Sequence, residues 1–283
     1  MLLIFDLDGV VYRGREPVPG MAELLSHLDA RGDVIVYCTN NSRAHRSEYL
    51  ERLRGLGLPA TEDRIVTSAR ATALALVDPA LVGPEVAWDR DRAGDGDGRP
   101  VMVVGAEGLA QEIRDVGLAT VAPTEEGRAA DPWAVVVGLD LELSHGRVSV
   151  AADVIRGGAR FIATNRDPVF PTPTGFVAGA GSVVAAIEAP AGRGPDLIVG
   201  KPEPGLFIEA ARVGGGEPGE AIVVGDGLTT DIAAAIRVGA RSVLMLTGVT
   251  SQAQLETTPP NARPTLVARD AAELAAHLEA LRG

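Results

Sequence analysis

Strand alternating with helix along most of the chain predicts an α/β fold with a mainly parallel sheet. Three observations carry this. Short apolar runs recur through the 283 residues. The stretches between them place apolar residues at helical spacing. Several of those stretches stop at glycine, at Gly32, Gly57, Gly117, Gly157 and Gly239, a common helix terminator.

The first run, Leu2–Phe5, is wholly apolar and ends in Asp6, Asp8 and Gly9, which reads as a buried parallel strand running into a turn. Met21–Arg31 follows as a helix with Leu24, Leu25 and Leu28 on one face. Val34–Tyr37 is the second strand and Ala44–Gly55 the next helix. In the middle of the chain, Val101–Val104, Ala134–Val137 and Phe161–Ala163 read as strands, with helices at Leu109–Val116 and Ser144–Arg156. Leu197–Val199, Ala221–Val224 and Ser242–Leu246 complete the strands, with helices at Gly205–Val213 and Asp231–Val238. No repeat of fixed period is present.

A chain of this length makes one large domain or two of ordinary size. With 46% hydrophobic residues it can bury a core, and with only 4% aromatics that core is built mainly from Ala, Val, Leu and Ile. The formal charge of -12, from 26 basic and 38 acidic residues, argues against nucleic-acid binding through phosphate contacts. It leaves room for a small phosphorylated substrate, because a bound divalent cation can supply local positive charge. Cys38 is the only cysteine, which excludes an intrachain disulfide and suits a reducing cytoplasm. The chain begins in its first strand without a basic-then-apolar leader, and no apolar run approaches a membrane span, so a cytoplasmic protein without membrane contact is expected.

Asp89–Pro100, polar and Gly-rich, reads as a linker. Asp89, Asp91 and Gly94 fall at early positions of a calcium loop, but Pro100 stands where the bidentate Glu is required, so calcium binding is not expected. A second boundary lies at Pro190–Pro195. The three strands between these marks predict a separate small domain.

Four apolar runs end in chemically useful residues. One ends at Asp6 and Asp8, one at Thr39-Asn40-Asn41-Ser42, one at Gly200-Lys201-Pro202, and one at Gly225-Asp226-Gly227 followed by Asp231. Ligands of open α/β sheets bind outside the carboxyl ends of the strands. If these four strands are neighbours, one crevice gathers carboxylates, a lysine, a hydroxyl and amides. That inventory fits phosphoryl transfer with Mg2+, which prefers oxygen ligands. A carboxylate can attack phosphorus, while Thr39 and Lys201 hold the phosphoryl oxygens. Each piece alone has a plainer reading: Asp-Gly as a turn, Lys201 as a surface residue, Asp231 as a helix cap.

At these residues the chain resembles the haloacid dehalogenase superfamily. Its first motif, D-x-D-G followed by Thr or Val, matches Asp6-Leu7-Asp8-Gly9-Val10. Thr39 matches the second, Lys201 the third, and Gly225-Asp226 through Asp231 the fourth. FDLDGVVYRG, TNNSR, ARFIATNRDPVFP, GAGSVVAAIE, VGKPEPGLF and VGDGLTTDIAAA are similar to the branch of phosphatases with an inserted α/β cap. The resemblance implies a Rossmann-like core over residues 1–80 and 196–283 and a substrate-selecting cap over 81–195. It implies a Mg2+-dependent phosphatase of small phosphate monoesters, with Asp6 as nucleophile and metal ligand. Asp8 is then the general acid/base, with its carbonyl on the metal. Asp226 is a further metal ligand, and Asp231 acts on the metal through water or by orienting Lys201. Gly9, Thr39, Asn40, Asn41 and Lys201 hold the phosphate. The second Asp, at position 8, disfavours dehalogenation. Asn165, Arg166 and Asp167 fall in the segment that selects the substrate in this branch. Arg166 either meets a second anion on the substrate or faces solvent, and Asn165 and Asp167 are cap contacts or turn formers. A homodimer is implied by the resemblance alone.

His45 reads as a surface helix position, and His27, His145 and His277 show no metal-ligand spacing. Cys38 reads as a small buried apolar residue. Gly214-Gly215-Gly216 lacks the following Lys of a nucleotide loop, and no G-x-S-x-G is present. Two alternatives remain beside the phosphatase: a phosphotransferase using the same intermediate, and a non-catalytic ligand-binding protein on this core.

Overall fold

The computed structural model describes residues 1–78, 98–172 and 175–282. They form two compact units. The first comprises Met1–Thr39, Arg46–Val66 and the chain from Lys201 onward; the second comprises Asn40–His45 and Thr67–Gly200. Residues 89–97 of the Asp89–Pro100 linker, with the calcium-loop positions Asp89, Asp91 and Gly94, lie outside the described residues, as does the expected boundary between 80 and 81.

A six-stranded sheet organises the first unit. Its order is Leu266–Ala268, Arg241–Met245, Ile222–Gly225, Leu2–Asp6, Val34–Thr39 and Ile65–Thr67. Leu2–Asp6 lies at the centre, parallel to both neighbours. Leu3, Ile4 and Phe5 are completely buried, which explains an uninterrupted apolar run where an exposed strand would alternate. Strand order reverses beside this strand: the chain builds outward through Val34–Thr39, then returns to place Ile222–Gly225 on the other side. Such a reversal opens a crevice at the carboxyl ends. The helix Met21–Ala30 buries Met21, Leu24, Leu25 and Leu28, the stripe of an amphipathic helix. Gly205–Gly214 packs on Val34–Thr39 and Leu2–Asp6.

The second unit has its own parallel sheet of five strands. Its order is Leu197–Ile198, Arg160–Ala163, Ala134–Val137, Val101–Val104 and Thr120–Val121. Val135, Val137 and Phe161 pack against Val154 and Ile155 of the helix His145–Arg156 and against Val183, Val184 and Ile187 of the helix Ala180–Ala191. A hairpin, Val169–Thr172 with Gly175–Ala178, stands beside it in sequence.

One strand departs from expectation. Leu197–Val199 is not a neighbour of Leu2–Asp6; Leu197 and Ile198 pair with Ile162 and Ala163 at the edge of the second sheet. A two-residue strand carries no signal of which sheet it joins. Five of the described helices were also not foreseen, among them the short Glu125–Ala129 and Gln252–Thr257. Ser68–Val77 is Ala-rich and buried nearly all round, so it shows no stripe; Ala180–Ala191 contains Pro190, and Ala271–Arg282 is the last element. The expected helix Asp231–Val238 starts earlier, as a π-helical turn over Leu228–Ile232 that leads into Ala233–Val238. Among the described residues no helix is long and apolar enough to cross a membrane.

Phe161 is fully buried at the centre of the second unit's core. Truncation by Phe161→Ala is expected to destabilise that unit by about 3–5 kcal/mol. Denaturant unfolding monitored by circular dichroism checks this, and a loss below about 1 kcal/mol would contradict the packing described.

Candidate active site

The register of the first sheet brings the chemistry together. Asp6 lies opposite Cys38, so Thr39 stands one residue further along the neighbouring strand. On the other side Phe5 lies opposite Val224, which carries Gly225 and then Asp226 to the same edge. Lys201 arrives after the second unit's edge strand and begins the return of the chain to the first unit. Its Nζ lies 2.5 Å from Asp6 Oδ1 and 2.6 Å from Asp231 Oδ1. All three side chains are buried. Asp231 sits in the π-helical turn, and its other oxygen accepts from Gly227 N–H at 3.1 Å and Thr230 Oγ1 at 3.2 Å. It is therefore not a helix cap.

Asp226 is held from the next loop. Val249 N–H donates to its Oδ2 at 2.8 Å, and Thr250 Oγ1 donates to its carbonyl at 2.5 Å. A Cβ added at Gly248 would lie 1.7 Å from Asp226 Oδ2, and one added at Gly9 would lie 2.3 Å from the same atom. Gly9 also has φ 83°, a left-handed conformation that glycine adopts without strain. Thr247 Oγ1 donates to its carbonyl at 2.6 Å. The Thr247–Thr250 loop was not among the sequence candidates. Its signal was present: Ser242–Leu246 is another apolar run ending in a polar residue and a glycine.

Burial raises the Asp6 carboxyl well above the ordinary range. Lys201 opposes that shift, while Asp231 and Asp226 add to it. Asp226 is pushed up to about 7, first by burial and then by Asp231. Burial works against the charge on Lys201, but Asp231 and Asp6 outweigh it and raise its pKa. Asp8, half-buried, is raised by burial against the pull of Arg52 and Lys201. The Arg52 guanidinium lies 3.8 Å from the centre of the Tyr12 ring and donates to the Gly14 carbonyl. Burial also pushes the Cys38 thiol up, which leaves it a poor nucleophile.

Oxygens of Asp6, Asp226 and Asp231 all lie within 4.8 Å of one another. An octahedral magnesium site at about 2.0–2.1 Å would space its oxygens about 3–4 Å apart, so the donor set fits a hard divalent cation in kind and spacing. Because Asp231 is committed to Lys201, Gly227 and Thr230, Asp6 and Asp226 are the better placed pair.

Candidates from the second unit form their own group. Asn40 Nδ2 donates to both oxygens of Asp167, at 3.1 and 3.0 Å, and Asn165 Nδ2 donates to the Asn40 carbonyl at 2.7 Å. Asn41 Oδ1 accepts from Arg43 N–H at 3.0 Å. Arg166 stands apart from this cluster, half-exposed and paired with Glu188. His45 corrects its sequence reading. It is buried, with Nε2 2.9 Å from Asp115 Oδ2 and 3.5 Å from Glu112 Oε1, and it precedes the helix Arg46–Gly55. The two carboxylates that bury it come from residues about 70 positions away and leave no local mark.

A haloacid dehalogenase-like hydrolase model matches residues 3–119, and a related HAD-hydrolase-like model matches 198–274. The chain is 37% identical over 268 residues to a D-glycerol 3-phosphate phosphatase of Mycobacterium tuberculosis, covering 95% of this chain and 69% of that protein. It is 34% identical to a 5'-nucleotidase of Bacillus subtilis, over 88% of each. A solved glycerol phosphate phosphatase of Mycobacterium tuberculosis in complex with magnesium superimposes with a TM-score of 0.81 at 36% identity, covering 97% of this chain and 76% of the other.

Two outcomes follow from this geometry. Gly248→Ala forces Asp226 away and is expected to weaken magnesium binding by at least about tenfold, read by calorimetry. Protons compete with the cation at Asp226 and Asp6, whose raised pKa values keep them protonated further up the pH scale. The rise in melting temperature on adding magnesium should therefore be smaller at about pH 5.5 than at about pH 8. An equal rise at both pH values would contradict metal binding at these carboxylates.

Proposed function

The chain belongs to the haloacid dehalogenase-like hydrolases, and on that premise we propose that it is a magnesium-dependent phosphatase of small phosphate monoesters, acting through an aspartyl-phosphate on Asp6. The observation that carries the reading is the buried Lys201 ammonium 2.5 Å from Asp6 and 2.6 Å from Asp231. It marks Asp6 as a carboxylate held in place beside a positive charge that a phosphoryl group can share.

Asp6 attacks phosphorus, and the bond to the ester oxygen breaks as the Asp6–phosphorus link forms. Asp8 gives its proton to the leaving alkoxide; its raised pKa supports this role as acid. Water then attacks the aspartyl-phosphate, Asp8 takes the proton, and cleavage restores Asp6 and releases phosphate. Lys201, the Thr39 hydroxyl and the main chain at Gly9, Asn40 and Asn41 stabilise the phosphoryl oxygens. Asp6, Asp226 and the Asp8 carbonyl would hold magnesium, which would supply the charge that lets an anionic nucleophile meet an anionic phosphate. Asp231 orients Lys201, which its bonds to Lys201, Gly227 and Thr230 support.

In this reading residues 1–80 and 196–283 carry the reaction and residues 81–195 the cap, with Asn165 and Asp167 in its substrate segment. Arg166 faces solvent, a role its pairing with Glu188 supports. A small phosphorylated metabolite is the substrate. Glycerol 3-phosphate and nucleoside 5'-monophosphates head the panel because two relatives carry those names. A cytoplasmic setting, supported by the single buried Cys38, and a homodimer, supported by the family resemblance, belong to the same proposal.

Phosphate release from such a panel, with magnesium and with chelator, tests the class. Asp6→Asn is expected to lower turnover by at least about a thousandfold while leaving the circular dichroism spectrum unchanged. Near-wild-type turnover in that variant would remove Asp6 as nucleophile. Added alcohol acceptors that divert the phosphoryl group from water would identify a phosphotransferase instead.

A further inference from the structure

We propose that Asn165 and Asp167 are positioning residues that set the main chain at Asn40 and Asn41 for phosphate, and do not contact the leaving group. This rests on the phosphatase reading, in which that main chain donates to the phosphoryl oxygens. Asn40 directly follows Thr39 at the end of the Val34–Thr39 strand.

Asn40 is gripped at both of its acceptor and donor ends inside the second unit. Its carbonyl accepts from Asn165 Nδ2 at 2.7 Å and from Ser68 Oγ at 2.5 Å. Its side-chain amide donates to Asp167 at 3.0 and 3.1 Å. Gly200 closes the cluster: a Cβ there would lie 2.6 Å from the Thr164 carbonyl, 2.7 Å from Asn165 Cβ and 2.7 Å from Asn40 Oδ1. The peptide linking Asn40 to Asn41 is planar and trans. Holding its oxygen from one side therefore points the Asn41 N–H to the other.

Hydrogen-bond capacity separates positioning from substrate contact. Asn165 is 3% exposed. Its amide donates to the Asn40 carbonyl and to Thr164 Oγ1, the latter at 3.2 Å, and its Oδ1 accepts from Asp167 N–H at 3.1 Å. An asparagine amide has two donors, and both are used. Asp167 receives the Asn40 amide on both oxygens and gives its N–H to Asn165, so its carboxylate faces Asn40. The three residues form a polar network, buried at Asn40 and Asn165 and partly buried at Asp167, in which each orients the next.

The test measures binding of inorganic phosphate to the full-length protein with magnesium, by calorimetry, beside kcat/KM for glycerol 3-phosphate and p-nitrophenyl phosphate. Asp167→Ala is expected to weaken phosphate about tenfold, the loss of a charge-assisted hydrogen bond, and to lower kcat/KM for both esters by the same factor. Asp167→Asn, which keeps an acceptor for the Asn40 amide, is expected to restore most of both. Asn165→Ala, which frees the Asn40 carbonyl from the other side, should give the same pattern and serves if Asp167→Ala does not fold. A loss confined to one ester with phosphate binding intact assigns Asp167 to the leaving group and overturns the proposal. Unchanged binding and turnover in all variants overturns it as well. If the wild-type protein hydrolyses no ester, the phosphatase reading fails on its own, and the phosphate-binding comparison alone still upholds or overturns the positioning role.

Discussion

One buried ammonium, Lys201, sits between Asp6 and Asp231 with Asp226 close by. With all three carboxylates ionised, the cluster would carry a formal charge of about −2 in a region shielded from water, and the raised pKa values of Asp6 and Asp226 register how costly that excess is without a counter-charge. The rest of the crevice is arranged around that constraint. Main-chain N–H groups of Gly227 and Val249 and the Thr230 hydroxyl turn toward the carboxylates, and the Thr250 hydroxyl holds the Asp226 carbonyl. The remaining excess has the sign and size that a divalent cation cancels. A cation placed there would therefore replace protons that these carboxylates otherwise hold.

Parallel strand pairing makes this density of charge possible. Residues separated by 195 positions, Asp6 and Lys201, meet because the intervening chain builds a second unit and returns to the first at Lys201. The strands themselves are apolar and stiff, so loop residues gain fixed positions without supplying any core. Crowding then dictates small residues. Gly9 and Gly248 leave no space for a Cβ against Asp226, and Gly225 would place one 2.2 Å from Asp231 Cβ.

Much of this was legible in the amino-acid order because buried strands and their terminating polar residues are contiguous. Asp6, Asp8, Thr39 and Asp226 follow apolar runs that can be read by eye, and their strands are adjacent in one sheet. What escaped notice depends on contacts between distant segments. Leu197–Ile198 joins the second sheet through a two-residue pairing that no local pattern announces. His45 resembles any polar residue at a helix start until Glu112 and Asp115 are folded against it. Ser68–Val77 hid for the opposite reason: a helix covered on nearly every side loses the polar face that reveals its period.

The second unit takes in the six residues Asn40–His45, so the chain passes between units after Thr39, His45, Val66 and Gly200. That segment is interior material. Ser42 Oγ accepts from Leu139 N–H at 3.3 Å, and a Cβ at Gly108 would collide with the Arg43 carbonyl and the His45 nitrogen. A fragment running from Thr67 to Gly200 would therefore lack a strip of its own packing. In terms of modularity, the insert is not a cassette: exchanging it between related chains means exchanging the residues after Thr39 with it.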